Sequence, residues 1–182
     1  MQRALLVRHC ESSGQAPEAP LTARGNAQAE ALAEFLASQP IARVVSSPYL
    51  RARQSVEPLA RKLGLEIELD ARLAERRLSP TPIDGWRDVV KRSFEDPEWS
   101  VPGGESGGET LARGLAAIRP LLESAASDRL VVVSSHGQLL SLVLHSIDAR
   151  FGFAGWEALS NPDVHALEAN EVSGLAFRRV WS

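Results

Sequence analysis

Arg3-Ala-Leu-Leu-Val7 runs straight into Arg8-His9-Cys10-Glu11, and this junction decides how the rest of the chain is read. A short apolar run with no polar face predicts a strand buried on both sides. In open parallel α/β sheets, ligands bind just beyond the carboxyl ends of such strands. A guanidinium beside an imidazole at that place suits an anionic substrate. Arg forks onto phosphate oxygens, and His attacks or shuttles protons near neutral pH.

Working outward, Glu11 to Pro20 holds Ser, Gly and Pro and predicts a loop. Thr22 is the expected N-cap of a helix with Ala29, Leu32, Ala33 and Leu36 at helical spacing, stopped by Pro40. Ala42–Ser46 predicts a second short strand, ending in Ser46-Ser47-Pro48. A helix is expected from Tyr49 to Leu63, with Gly64 past its end. Leu65–Leu69 alternates apolar and acidic residues, as a strand nearer a sheet edge does.

Residues 70–108 are less regular and hold four prolines, Trp86, Phe94 and Trp99. They predict a lid-like excursion over one end of the sheet, with a short helix near Ile83–Phe94. Trp86 and Trp99 read as packing within that lid. Thr110–Ser124 is expected to be helical, and Pro120 predicts a kink or a break in it. Leu130–Ser134 is a third apolar strand, ending in Ser135-His136-Gly137. Gln138–Ile147 follows as a helix, and Val164–Ala169 with Gly174–Trp181 as a closing hairpin.

Strands alternating with helices predict an α/β fold, a three-layer α/β/α sandwich with a mostly parallel central sheet. At 182 residues and 44% hydrophobic, the chain is expected to form one domain over 1–182. The net charge of −3 gives no basic field for nucleic acid, so anion binding must come from a local cluster. No apolar stretch approaches a membrane span and no signal peptide is evident at the start, so a cytoplasmic protein with no membrane partner is expected. Cys10 is the single cysteine, which rules out an internal disulfide.

The chemistry converges at strand ends. His9 and His136 each follow a buried strand, and in a parallel sheet both face one edge. Arg51, in the first turn of the helix after Ser46-Ser47-Pro48, points to the same crevice. The N-terminal turn of that helix is expected to add free N–H groups. Two His and two Arg around one space call for an anion, and phosphate is the natural occupant.

Five elements together resemble the histidine phosphatase superfamily, which also contains the cofactor-dependent phosphoglycerate mutases. They are Arg8-His9-Cys10-Glu11, Ser46-Ser47-Pro48 through Arg51-Ala52, Leu73-x-Glu75, Gly103-Gly104-Glu105-Ser106 and Ser135-His136-Gly137. The resemblance implies a metal-independent phosphomonoester hydrolase working through a phosphohistidine, with no cofactor. His9 would be the nucleophile, and Glu75 would protonate the leaving oxygen. Arg8, Arg51 and His136 would clamp the phosphoryl oxygens. Gln138 stands where the family often has Asn, and its backbone N–H is expected to reach the phosphate. Gln15 or Ser12 would replace an Asn that many members carry after the first motif.

The family's first motif usually has Gly where this chain has Cys10. Cys10 reads as a small buried hydrophobe. A zinc site on His9, Cys10 and His136 lacks standard ligand spacing and is disfavoured. Glu105 is expected to orient the pocket by pairing with an Arg. Arg76 and Arg77 fit either a second anionic group or solvated surface. His145 and His165 read as structural. Mutases of the family carry a Trp-Asn pair and insertions that this short chain lacks, so hydrolysis of a small phosphorylated metabolite is preferred to the mutase reaction. A phosphoprotein substrate, or a module that binds phosphate without turnover, is the alternative.

Overall fold

The computed structural model describes residues 2–124, 128–170 and 174–181. Six strands form one sheet: β1 (Gln2–Arg8), β2 (Ile41–Ser46), β3 (Ile67–Leu69), β4 (Leu130–Ser135), β5 (Asp163–Asn170) and β6 (Gly174–Arg179). Their order across the sheet is β3-β2-β4-β1-β5-β6. β3, β2, β4 and β1 pair in parallel, while β5 runs antiparallel to both β1 and β6. The sheet is therefore mostly parallel, with β3 at an edge as its alternating sequence predicts.

Alternation along β1 sorts its side chains to two cores, as the two-residue strand period requires. Leu5 and Val7 pack with Ala29, Leu32 and Leu36 of α1 (Ala23–Leu36) and Val56 and Leu59 of α2 (Leu50–Leu63). Ala4 and Leu6 face the other way. They pack with Ile118 and Leu122 of α4 (Gly107–Ser124) and Leu139 and Val143 of α5 (Gly137–Ile147). α3 (Trp86–Glu95) and α6 (Phe153–Glu157) complete the helices. Leu6 is fully buried. Leu6→Ala is expected to lower unfolding free energy by about 3 kcal/mol in urea titration, because the cavity collapses only in part. None of the helices among the described residues is long and apolar enough to cross a membrane.

Local chemistry fixes the helix ends. Thr22 Oγ1 accepts the Gly25 N–H at 2.9 Å, capping α1. Gly64 ends α2 in the left-handed region, at φ 67°, where a side chain would be strained. α4 begins three residues before the expected Thr110. Ser106 Oγ accepts the Glu109 N–H at 3.1 Å and Glu109 Oε2 accepts the Ser106 N–H at 2.7 Å. That reciprocal pair is a capping box.

α4 also runs on through Pro120, against the expected kink or break. Proline removes the bond that residue 120 would give to the Ala116 carbonyl. Arg72 Nη1 donates to that carbonyl instead, at 2.9 Å. α3 starts at Trp86 rather than Ile83, after Gly85 at φ 69°. α6 and a 3₁₀ turn at Ala71–Leu73 were not expected, since one turn leaves no periodic signal.

Candidate active site

The carboxyl ends of β1, β2 and β4 meet at one place. His9 N–H bonds the Ser135 carbonyl at 3.0 Å and Ser47 N–H bonds the Ser134 carbonyl at 2.9 Å. The two sheet-end histidines become neighbours, with ring centroids 5.2 Å apart. In front of them lies a cavity of about 1,030 Å³. Arg8, His9, Gln15, Arg51, Glu75 and Gln138 line it. His136 is fully buried and lies outside the cavity lining.

His9 is set up as a neutral imidazole with a defined tautomer. Its Nδ1 lies 2.7 Å from the Cys10 carbonyl oxygen, which only accepts, so Nδ1 carries the proton. Nε2 is then a lone pair, and Arg51 Nε–H donates to it at 3.1 Å. Burial, opposed by the Cys10 hydrogen bond and helped by the nearby Arg51 and Arg8 charges, brings the His9 pKa down to about 3. Asn161 Nδ2 donates to the His9 carbonyl at 2.7 Å and holds the segment from behind.

Burial, then the charges of His9 and Arg51, hold His136 well below the usual histidine range. Its Nε2 is 2.8 Å from Ser47 Oγ. Ser47 Oγ also accepts the Tyr49 N–H at 3.2 Å. His136 Nδ1 is buried with no partner among the described residues.

Both histidines bind fewer protons folded than unfolded below their ordinary pKa of about 6.5. Their contribution to stability is therefore full above about pH 6.5 and falls as the pH drops below it, for His9 down to about 3. Urea midpoints measured between pH 7.5 and 5 are expected to fall, and to fall less steeply in His9→Gln, which has one such histidine fewer.

Cations surround the pair. Arg8 Nη1 donates to the Leu159 carbonyl at 2.9 Å, while its Nε is buried without a partner among the described residues. Arg51 Nη1 donates to the Gln15 and Ala16 carbonyls at 3.1 and 2.9 Å. Gln15 thus serves Arg51 through its backbone. Ser12 also lines the cavity, with its hydroxyl on the Gly14 carbonyl. Arg76, read as possible solvated surface, is buried, bonded to Ser93 and to the Glu105 carbonyl. Desolvation lowers the pKa of all three guanidiniums, Arg8, Arg51 and Arg76, yet arginine stays charged. Four arginines, Arg8, Arg51, Arg76 and Arg77, line the cavity against two carboxylates, Glu11 and Glu75, so positive charge is in excess there.

Glu75 caps α5. Its Oε1 accepts the Arg76 and Leu139 N–H groups at 2.9 and 3.2 Å, and Oε2 accepts the Gln138 N–H at 3.2 Å. This corrects the expectation for Gln138: its N–H is taken by Glu75 rather than left for phosphate. Its side-chain Oε1 is buried without a partner among the described residues. The start of α2 is partly taken as well. Leu50 N–H bonds the Pro17 carbonyl and Tyr49 N–H bonds Ser47.

Glu105 pairs with Arg113 at 2.5 and 2.8 Å. Arg113 Nη1 also holds the Arg72 and Ala74 carbonyls, each at 2.7 Å, so the pair braces the segment carrying Glu75. Gly104 lies so close that a Cβ there would stand 2.1 Å from the Leu78 carbonyl oxygen. Arg113→Ala is expected to lower turnover about tenfold through misplacement of Glu75, with phosphate affinity changed less. Stopped-flow or steady-state kinetics beside phosphate inhibition would check this.

Cys10 turns into the core beside Leu5, Val7 and Leu32. Burial raises its thiol pKa to about 11. His145 rests edge-on to Phe94, and His165 lies buried between Phe151 and Phe177.

A family profile described as the histidine phosphatase superfamily, branch 1, matches residues 4–174. The chain belongs to the histidine phosphatase superfamily. Within the superfamily it is 30% identical to a probable phosphoglycerate mutase of Salmonella choleraesuis, over 97% of this chain and 89% of that protein. Among solved structures it resembles a mycobacterial glucosyl-3-phosphoglycerate phosphatase, at 27% identity and a TM-score of 0.78, covering 99% and 98% of the two chains. A putative alpha-ribazole-5'-P phosphatase from Escherichia coli K-12 shares the fold at 23% identity and a TM-score of 0.74, over 100% of this chain and 96% of that one. Phosphatase and mutase alike transfer phosphoryl groups, and membership of this superfamily makes the chain a phosphoryl-transfer enzyme.

Proposed function

We propose that this enzyme hydrolyses phosphomonoesters of small metabolites through a phosphohistidine on His9, without a metal. The observation that carries this reading is the state of His9: neutral, with Nε2 unprotonated, at the end of a cavity with surplus positive charge. An imidazole lone pair attacks phosphorus without first losing a proton. Arg51 Nε–H must turn from Nε2 to a phosphoryl oxygen as the nucleophile engages. Arg8 Nε–H, buried without a partner among the described residues on a side chain that lines the cavity, is a further donor suited to the phosphoryl oxygens, and His136 packs beside the His9 ring.

In the first step an Nε2–P bond forms and the P–O bond to the leaving group breaks. The Glu75 carboxyl gives its proton to the departing oxygen. Water then attacks the phosphohistidine, with Glu75 taking a proton from it, and inorganic phosphate leaves. The guanidiniums supply the positive charge that phosphoryl transfer requires.

A cavity of about 1,030 Å³ leaves room for water beside the phosphohistidine, which favours hydrolysis. The Salmonella relative's name keeps the mutase reaction as the second reading. The test is turnover of p-nitrophenyl phosphate in EDTA, beside incubation with 3-phosphoglycerate and 2,3-bisphosphoglycerate. Phosphate release supports the phosphatase. Isomer exchange without phosphate release would establish the mutase. Phosphate-competitive binding with neither would leave a binding module.

A further inference from the structure

Beyond the residues of the phosphoryl cup, the same cavity has a wall with a different chemistry. That wall is made by Leu78, Pro80, Pro82, Ile83, Trp86 and Trp156. Ser79 and Thr81 interrupt it, and they are tied together, Thr81 N–H to Ser79 Oγ at 3.3 Å. Arg77 stands exposed on the same rim.

Trp86 was expected to pack inside a lid; it packs on Trp156 and also faces the cavity. Trp86 is 46% exposed. Phe35, Leu69 and Trp86 are the large apolar side chains left exposed among the described residues, and of these Trp86 alone lines the cavity. Exposed apolar surface in a concave site beside a few polar groups is the chemistry of a ligand pocket.

The two tryptophans come from separate helices and are held in place. Trp86 opens α3 and meets Trp156 of α6 edge to face, at 5.9 Å and 81°. Trp156 stacks on Phe153 at 5.3 Å and 27°. The Arg87 guanidinium sits 5.9 Å from the Phe153 ring centroid and pairs with Glu157. These ring contacts are made within the chain itself, and contacts already in place lower the entropic cost of using the rings.

We propose that the leaving group of the substrate is an alcohol bearing an aromatic ring, and that Trp86 and Trp156 seat that ring. This rests on the phosphomonoester reading of the cup. The cavity's size fits it, since ligand pockets run to about 1,000 Å³ and a lone phosphoryl group fills little of such a space. Two tryptophans that meet edge to face leave π surfaces for a third ring in an offset or edge-on arrangement. A small sugar phosphate would leave this wall wet and unused. The two aromatic residues are therefore the specificity determinants for the leaving group.

The test compares 2-(1-naphthyl)ethyl phosphate with ethyl phosphate. Both release a primary alcohol of similar basicity, so reactivity is matched and only recognition differs. The wild-type kcat/KM is expected to be at least about tenfold higher for the naphthyl ester. In Trp86→Ala with Trp156→Ala that ratio is expected to collapse toward one. Trp86→Ala alone, at an exposed position, is expected to lower it in part, and Trp86→Phe to restore most of it. A wild-type ratio near one, or a ratio unchanged in the variants, would overturn the proposal. A binding arm separates this from failure of the hydrolase reading. His9→Ala is titrated calorimetrically with 2-(1-naphthyl)ethylphosphonate and with ethylphosphonate. If no ester is turned over but the naphthyl ligand binds about tenfold tighter, the hydrolase reading fails and the aromatic seat stands. If esters turn over without preference, the reverse holds.

Discussion

His9→Ala is expected to lower kcat on activated aryl phosphates by on the order of 10⁴-fold or more, as loss of a covalent nucleophile does elsewhere. The size follows from what is lost. Without Nε2 no phosphoenzyme forms, and water must attack the ester directly, while Arg8 and Arg51 are expected still to bind and polarise it. KM for the ester, or Kd for inorganic phosphate, is expected to change far less than kcat. The substitution removes two ring bonds, to the Cys10 carbonyl and from Arg51 Nε–H, while the backbone bonds of residue 9 to Ser135 and Asn161 stay, so the fold is expected to tolerate it. Wild-type enzyme quenched after brief exposure to substrate is expected to carry acid-labile, base-stable phosphate on His9. Label recovered on a serine or an aspartate would overturn the assignment.

Much of this architecture was legible in the chain, and the reasons are local. β1 declares itself because Ala4 to Val7 has no polar face, and the structure uses all of it, sending alternate side chains to two cores. His9 and His136 were legible as a pair because parallel strands end on one edge, so two residues 127 positions apart share a place through topology alone. Thr22 and Gly64 mark helix ends through chemistry that acts within four residues.

What escaped the sequence depends on partners far along the chain. Pro120 reads as a break until Arg72 is seen on the Ala116 carbonyl. Arg76 reads as surface until Ser93 of α3 and the Glu105 backbone close over it. Asn161 and Ser47 orient the histidines, yet each is an ordinary loop residue in sequence, with no spacing to announce it. The Gln138 N–H pointed to phosphate on motif grounds, and three-dimensional placement of Glu75 at the head of α5 claims it. The Glu105–Arg113 pairing was foreseen only as a charge in need of a cation; that it braces the Ala74 carbonyl needed coordinates.

Glu75→Gln is expected to lower kcat/KM for alkyl phosphates by about 10²- to 10⁴-fold, the range that positioned general acids contribute. On 2,4-dinitrophenyl phosphate the loss is expected to stay within about tenfold, because that leaving group departs without a proton. The contrast has to be read in kcat/KM. That quantity contains only the steps up to phosphohistidine formation, so any role of Glu75 in activating water for the second step does not enter it. The substitution is close to isosteric, and its structural cost is bounded by the contacts. The oxygen that accepts Arg76 and Leu139 N–H is retained, while the new amide faces the Gln138 N–H and loses that one bond. A shift of α5 would move Gln138 and the buried His136 together and weaken phosphate binding. Unchanged inhibition by inorganic phosphate in Glu75→Gln therefore separates loss of a proton donor from loss of the helix cap. Equal losses on alkyl and dinitrophenyl esters, with phosphate affinity intact, would remove Glu75 from the proton-transfer step and leave it as the α5 cap.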